Sequence, residues 1–158
     1  MAVEIERKFL VDHSLWQEFK QASQLQGVLF RQGYLSDGPV TVRVRIKGDQ
    51  GVLTVKGKTV GLSRLEFEYD IPAVDAAQML DELCDKPLIE KQRYFVQDGD
   101  LIWEVDEFHG ENQGLIVAEL ELPSEDTTFA APKWLKEEVS QDYRYFNVNL
   151  AKHPFTTW

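Results

Sequence analysis

Cysteine, histidine and long apolar runs are all scarce in this 158-residue chain. The single cysteine, Cys84, excludes an internal disulfide and a cysteine-based metal cluster. The histidines, His13, His109 and His153, lack the spacing of metal ligands, and we expect them to be solvated. No apolar run approaches the roughly 20 residues of a membrane helix. The charged, alternating start of the chain has no apolar signal-peptide core. These absences predict a soluble, cytoplasmic protein.

Basic residues are also too few to balance the acidic ones. The chain has 27 acidic and 17 basic side chains, for a formal net charge of -10. Duplex nucleic acids and anionic membranes both require a cationic surface, so we expect neither as a partner. The length is typical of one compact domain, which we expect to span residues 1–158.

Alternation of apolar and polar residues predicts about eight antiparallel strands. The predicted strands are 3–11, 30–35, 41–47, 52–58, 64–71, 88–97, 101–108 and 115–122. Helical spacing predicts a helix over 13–26 with a capping box from Ser14 to Gln17, a second over 72–86, and a helical tail from Pro132 onwards. Sequential strands joined by short turns favour an α+β fold with a closed or nearly closed antiparallel sheet.

The polar faces of these strands carry charge at every second position. Side chains two apart on a strand point the same way. The acids in this pattern are Glu4, Glu6, Glu66, Glu68, Glu104, Asp106, Glu119 and Glu121, and the bases are Lys8, Arg43, Arg45, Lys47, Lys56, Lys58, Lys91 and Arg93. The apolar faces need a cover, and the helical stripes around Trp16, Leu80 and Trp134 can cover them from outside. We therefore expect a barrel whose lumen is charged.

The charges of such a lumen indicate what it binds. Buried charge is costly unless it is paired or bound to an ion. Carboxylates clustered without His or Cys suit Mg²⁺ or Mn²⁺, whereas Arg and Lys suit phosphate oxygens. Both clusters in one cavity indicate a metal–polyphosphate complex, and hence phosphoryl or nucleotidyl transfer. The lumen set is balanced in charge, so the acidic excess lies outside it and does not argue against a small polyanion.

Seven short motifs follow one another in order along the chain. They are ExExK at Glu4–Lys8, RxR at Arg43–Arg45, LTxK at Leu53–Lys56, RxExE at Arg64–Glu68, KxR at Lys91–Arg93, a late acid at Asp106, and ExE at Glu119–Glu121. One such motif is a weak signal, but the ordered set is specific. It resembles the CYTH superfamily, the triphosphate tunnel metalloenzymes, over nearly the whole chain.

The resemblance implies an eight-stranded tunnel that holds a linear triphosphate with divalent cations, Mg²⁺ or Mn²⁺, at two per site. It implies that a C-terminal helix plugs one tunnel end and that Lys91 helps to activate water, with Tyr34 nearby. The implied metal ligands are Glu4, Glu6, Glu119 and Glu121, with help from Asp106, Glu66 and Glu68. The implied triphosphate ligands are Lys8, Arg43, Arg45, Lys56 and Arg93.

Hydrolysis of inorganic tripolyphosphate is the predicted activity, with nucleoside or thiamine triphosphate as further substrates. The short chain, the closed-looking tail and the lack of a clear adenine pocket favour it. Three alternatives stay open: a class IV-type adenylate cyclase that makes cyclic AMP and pyrophosphate from ATP, a non-catalytic polyphosphate- or nucleotide-binding module, and an ordinary barrel with ion-paired surface strands. A homodimer also stays open, although no residue pattern in the chain indicates one.

Overall fold

A computed structural model describes residues 3–158, so residues 1 and 2 of the predicted domain lie outside the described residues. The strands are β1 (Val3–Val11), β2 (Val28–Asp37), β3 (Thr41–Lys47), β4 (Gln50–Lys56), β5 (Ser63–Ile71), β6 (Ile89–Asp98), β7 (Leu101–Phe108), β8 (Ile116–Glu121) and β9 (Leu135–Glu138). The helices are α1 (His13–Ala22), α2 (Ala73–Glu82) and α3 (Asn147–Lys152). None of these helices is both long and apolar enough to cross a membrane.

Eight of the strands close into an antiparallel barrel, which confirms the predicted fold class. Their order is β5-β4-β3-β2-β6-β7-β8-β1, and β1 closes the ring by pairing with β5, where Val3 lies opposite Leu65. On its other edge β1 pairs with β8, where Lys8 lies opposite Glu119. Closure gives every strand one inward and one outward face, although β5 pairs with β1 only along Val3–Ile5.

The tail after Pro132 is only partly helical, although its apolar spacing predicts a helical tail. Leu135–Glu138 forms the short strand β9 on β1, with Val11 opposite Leu135. β5 covers only the first residues of this edge of β1, and β9 satisfies backbone groups further along it. Trp134 is buried beside this pairing. The α-helical part of the tail is α3, and short 3-10 turns at Tyr143–Tyr145 and Phe155–Thr157 flank it.

The first helix is shorter than predicted and is capped differently. The Asp12 carboxylate accepts a hydrogen bond from the backbone N–H of Leu15 at 3.0 Å, so Asp12 is the N-cap. The predicted capping box from Ser14 is wrong, because Ser14 already lies inside the helix. The helix ends at Ala22, and Gln24 then adopts a left-handed backbone with φ of 52°.

Two apolar clusters lie outside the barrel wall, as the predicted helical cover requires, and a third packs Tyr145 and Leu150 of the tail against strand residues such as Ile89. Trp16 of α1 is fully buried in a cluster with Trp103 and Trp134. On another side, Ala76 and Leu80 of α2 pack in a cluster with Val44 of β3. Because the outward faces are apolar, the alternate residues of the strands point into the lumen.

The helical cover is incomplete along β5. The outward side chains Leu65, Phe67 and Tyr69 are 51%, 43% and 58% exposed. The expectation that helices cover all the apolar faces is therefore wrong for this strand. The reason is that α2 lies against β3 and β4 and does not extend across the outer face of β5.

Candidate active site

The inward side chains line one cavity of about 230 Å³ inside the barrel. Thirteen of the predicted site residues line it: Glu4, Glu6, Lys8, Tyr34, Arg43, Arg45, Lys56, Glu66, Glu68, Lys91, Arg93, Glu119 and Glu121. Asp106 lies behind Lys91 and Arg93 and contacts both. Lys58 is the exception among the predicted lumen bases: β4 ends at Lys56, and Lys58 is exposed in the following loop.

The strand order divides the lumen into an acidic half and a largely basic half. The lumen carboxylates lie on β7, β8, β1 and β5, which are neighbours in the ring. Most lumen bases, among them Arg43, Arg45 and Arg93, lie on β4, β3 and β6, which surround β2. Lys8 on β1 and Arg64 on β5 are bases within the acidic half. A cavity divided in this way can hold a metal–anion complex with each component beside opposite charge.

The C-terminal segment closes one end of the cavity. The Lys8 ammonium donates to the carbonyl of Tyr145 at 3.1 Å and lies 5.3 Å from the centre of the Phe146 ring. Asn147, at the start of α3, lines the cavity and contacts Lys91. Lys8 and Lys91 are buried at this end, whereas Glu68 and Glu121 are exposed. The cavity therefore opens at the opposite end.

Lysine and arginine hold part of the acidic half in ion pairs. The Lys56 ammonium lies 3.2 Å from Glu4 and 3.1 Å from Glu66, and Arg64 Nε lies 3.4 Å from Glu4. Burial acts to raise the pKa of Glu4, but Lys56 and Arg64 outweigh it and the net shift is downward. Burial, with Glu4 beside it, raises the pKa of Glu66 to about 7. Glu4 therefore loses its proton at a lower pH than Glu66.

Glu6 has too little positive charge around it. Burial, together with the nearby carboxylates of Glu119 and Glu4, raises its pKa to about 8. Glu6 lies opposite Glu121 in the β1–β8 pairing, and Glu104 lies opposite Glu119 in the β7–β8 pairing. Like charges directly opposite on neighbouring strands destabilise a sheet. The acidic half therefore has an excess of negative charge that a bound cation would relieve.

The donor set fits a hard divalent cation. It consists of carboxylate oxygens without histidine or cysteine, which is the chemistry that Mg²⁺ and Mn²⁺ prefer. Within residues 3–158, no three acidic side chains stand together as a ready metal-coordinating group. The ion pairs of Lys56 with Glu4 and Glu66 and of Lys8 with Glu119 draw several of them aside. Cation binding therefore competes with these ion pairs.

The basic half is crowded with positive charge. The guanidinium carbons of Arg45 and Arg93 lie 4.8 and 4.9 Å from the centre of the Phe30 ring. Burial, together with the nearby Arg43 and Arg93, lowers the pKa of Arg45 to about 9. Buried Arg43 Nε has no hydrogen-bond partner among the described residues. These groups are arranged as donors for an anion.

Lys91 is fully buried between two oxygen acceptors. Its ammonium nitrogen lies 2.8 Å from Asp106 Oδ2 and donates to Asn147 Oδ1 at 2.9 Å. Burial lowers the pKa of Lys91 to about 7 and outweighs the attraction of Asp106. Arg93 donates to both oxygens of Asp106, at 2.7 and 2.8 Å. Asp106 is thus already occupied by two cationic partners.

Tyr34 lies near Lys91 through a short polar chain. It lies on the inner face of β2, and its hydroxyl oxygen is 3.4 Å from Gln32 Nε2. The same Gln32 nitrogen donates to Asn147 Oδ1 at 3.3 Å, and that oxygen also accepts from Lys91. The structure thus brings the two predicted catalytic residues to the plugged end of the cavity.

Sequence reasoning missed Phe30, Gln32 and Asn147 as site residues. Phe30 and Gln32 share the inward parity of Tyr34 on β2, and this alternation could have revealed them. Asn147 gave no comparable signal, because its role depends on where the tail crosses the barrel end. Glu104 was placed in the lumen but not in the site, and it forms an ion pair with Arg93.

Comparisons with known proteins agree with this architecture. The CYTH domain model matches residues 2–155. An inorganic triphosphatase from Acetivibrio thermocellus is 50% identical over 156 residues, which are 98% of this chain and 97% of that protein. One from Nitrosomonas europaea is 39% identical over 154 residues, covering 94% of this chain and 96% of that protein. A solved inorganic triphosphatase structure has a TM-score of 0.65 at 32% identity, with 94% and 97% of the two chains covered. This chain belongs to the CYTH domain family.

Proposed function

We propose that this protein hydrolyses a small linear triphosphate, with inorganic tripolyphosphate as the preferred substrate, in the presence of a divalent cation. The observation that carries the proposal is the divided lumen, with carboxylates on β7, β8, β1 and β5 facing cations on β4, β3 and β6. The two similar proteins named inorganic triphosphatase, at 50% and 39% identity over nearly full length, support the same activity.

We assign the divalent cations to the acidic half and propose that each site holds two ions of Mg²⁺ or Mn²⁺. The residues that would hold them are Glu4, Glu6, Glu119 and Glu121, with Glu66 and Glu68 beside them. When bound, such a cation offsets phosphate charge and lowers the pKa of a water molecule. Asp106 is reassigned, because Arg93 and Lys91 already occupy its carboxylate. We propose that it anchors these two side chains.

The basic half binds the phosphate groups. Arg43, Arg45 and Arg93 present planar guanidinium groups, which can bind phosphate oxygens at two points. Lys56 contributes from β4, and Lys8 lies at the plugged end beside the tail. The phosphate chain would lie along the lumen, with one terminal group near Lys8 and Lys91. This placement leaves the other end toward the open mouth.

Lys91 is the proposed proton acceptor for the attacking water, and Tyr34 is proposed to help orient it. Burial brings the pKa of the Lys91 amine to about 7, so its neutral form is available near neutral pH. The neutral amine can take a proton from water at Nζ, and the ion pair with Asp106 then stabilises the ammonium that forms. Burial of Lys91 by the C-terminal segment and the barrel wall keeps its pKa near 7.

An inorganic substrate is favoured over a nucleotide by the lining of the cavity. Charged side chains dominate it. A cyclase would have to hold adenine and direct the ribose 3′-hydroxyl at the open mouth. A binding module would need the same phosphate ligands but would not need a buried amine with a pKa near 7. These differences rank hydrolysis first.

The remaining assignments are also proposals. A small triphosphate is the proposed partner, and the acidic outer surface argues against duplex nucleic acid and anionic membranes. Location in the cytoplasm stays a prediction. Homodimerisation stays open, and sedimentation equilibrium of the purified protein would settle the oligomeric state.

The test is a product analysis. Purified protein is incubated with Mg²⁺ or Mn²⁺ and either tripolyphosphate, ATP or thiamine triphosphate, and phosphate, pyrophosphate and cyclic AMP are measured. Phosphate and pyrophosphate from tripolyphosphate are expected. Cyclic AMP with pyrophosphate from ATP would favour the cyclase, and tight binding without turnover would favour the binding module.

A further inference from the structure

The surroundings of Lys91 Nζ define three directions around that atom. A lysine nitrogen is tetrahedral, with one position taken by its own side chain and three available to partners. Asp106 Oδ2 at 2.8 Å takes one of the three, and Asn147 Oδ1 at 2.9 Å takes another. Because Lys91 lines the cavity, the remaining position is available to a molecule inside it.

The amide of Asn147 has a defined orientation. Its Oδ1 lies within hydrogen-bonding distance of two donors, Lys91 Nζ at 2.9 Å and Gln32 Nε2 at 3.3 Å. If the amide were reversed, an NH₂ group would face both donors and both hydrogen bonds would be lost. The oxygen is therefore the atom that faces Lys91.

Gln32 in turn has its own orientation fixed from β3. Its carbonyl oxygen accepts from Arg45 Nε at 2.7 Å, so its NH₂ group points away from the arginine. That NH₂ group lies 3.4 Å from the Tyr34 hydroxyl oxygen and donates to Asn147. Gln32 is fully buried. A continuous chain of polar contacts thus runs from Arg45 through Gln32 and Asn147 to Lys91.

We propose that Asn147 is a positioning residue, which holds the Lys91 nitrogen so that its free tetrahedral position faces the bound triphosphate and the attacking water. This inference rests on the proposed hydrolysis. Asp106 alone would fix the rotation about the Cε–Nζ bond, but the lone pair of the neutral amine could still occupy either of the two remaining positions. Asn147 accepts from the second N–H and leaves the lone pair in the third position. The C-terminal segment therefore completes the site and does more than close the end of the cavity.

The inference is tested with Asn147→Ala. A misplaced reacting group costs up to about 100-fold in rate, so we expect kcat for tripolyphosphate to fall by about 10- to 100-fold. KM is expected to change by less than about threefold, because Asn147 is assigned no contact with substrate. Circular dichroism and thermal unfolding check that the variant is folded.

The matched control is Asn149→Ala, two residues further along the same helix. Asn149 Nδ2 donates to the Tyr143 carbonyl at 2.8 Å, so this change weakens the tail without touching Lys91. Its kcat is expected to stay within about twofold of the unsubstituted protein. Equal losses in the two variants would overturn the proposal, because they would show that integrity of the tail alone matters.

Two further results would also overturn it: an unchanged kcat in folded Asn147→Ala, or a rise in KM with kcat unchanged. If Asn147→Ala fails to fold, Asn147→Gln is used, which keeps the amide but displaces its oxygen, and the same criteria apply. Absence of turnover by the unsubstituted protein would refute the proposed function instead, so the two failures are distinguishable.

Discussion

Arg93 forms a two-point ion pair with Asp106, from Nε to Oδ1 at 2.7 Å and from Nη2 to Oδ2 at 2.8 Å. Lys91 contacts the same carboxylate at 2.8 Å, and the Asp106 side chain is only 1% exposed. Burial acts to raise the pKa of Asp106, but Arg93 and Lys91 outweigh it and the pKa is lowered. One carboxylate thus supports two cationic residues of the proposed site.

Replacing Asp106 with Asn is expected to destabilise the fold while leaving metal binding nearly unchanged. The substitution removes the counter-charge of buried Lys91 and one of the carboxylates that pair with Arg93, which costs about 3–5 kcal/mol of unfolding free energy. Urea unfolding measures this loss. The Kd for Mn²⁺, measured by calorimetry without substrate, is expected to change by less than about threefold. A Kd weakened more than tenfold with intact stability would make Asp106 a metal ligand.

Glu6 is expected to make the metal-free protein less stable as the pH rises. With its pKa raised from 4.5 to about 8, folded protein keeps the proton in a range where the unfolded chain has released it. The unfolded state then binds fewer protons, so unfolding free energy falls as the pH rises from 4.5 through 8. Glu6→Gln should remove about 1–3 kcal/mol of this decline.

The measurement for Glu6 is urea unfolding in the presence of a chelator, from pH 5 to pH 8.5. Glu18→Gln is the matched control, because Glu18 is an exposed glutamate on α1. It should leave the pH profile unchanged. A profile for Glu6→Gln that parallels the unsubstituted protein would show that Glu6 ionises normally.

Phe30→Leu is expected to weaken triphosphate binding. The Phe30 ring lies beneath the guanidinium groups of Arg45 and Arg93, and buried cation–π contacts contribute about 1–2 kcal/mol each. Leucine retains apolar volume but has no ring to hold the two arginines in place. We expect the Kd for tripolyphosphate, measured by calorimetry, to rise by about 5- to 30-fold.

Phe95→Leu is the control for Phe30, since Phe95 lines the same cavity and has no cation over its ring among the described residues. Its effect on the Kd should be less than about threefold. Equal effects of the two substitutions would mean that aromatic area in the cavity, and not support of the arginines, determines affinity.

The barrel and its charged lumen could be predicted because strand parity is a local property. Glu4 and Glu6, or Arg43 and Arg45, share a face wherever their strands are placed in the sheet. The apolar residues of the opposite face, such as Val44, require burial and thereby direct the charges inward. These two facts together were enough to bring thirteen of the predicted side chains into one cavity.

The tail could not be predicted in the same way. β9 exists because β5 leaves part of an edge of β1 unpaired, which depends on how the strands are shifted relative to one another. The contact of Asn147 with Lys91 joins residues 56 positions apart and has no local pattern. The occupied state of Asp106 was missed for a related reason: its motif position shows the charge but not the two partners that bind it.

Hydrolysis of tripolyphosphate by the unsubstituted protein and by Lys91→Ala, each with Mg²⁺ or Mn²⁺, tests the central claim most directly. The unsubstituted protein is expected to release phosphate and pyrophosphate, with turnover rising as the pH passes about 7 and the amine loses its proton. Folded Lys91→Ala is expected to lose at least about 100-fold in kcat, the low end for a general base. A protein that releases no phosphate under these conditions, or a Lys91→Ala variant with unchanged kcat, would contradict the account.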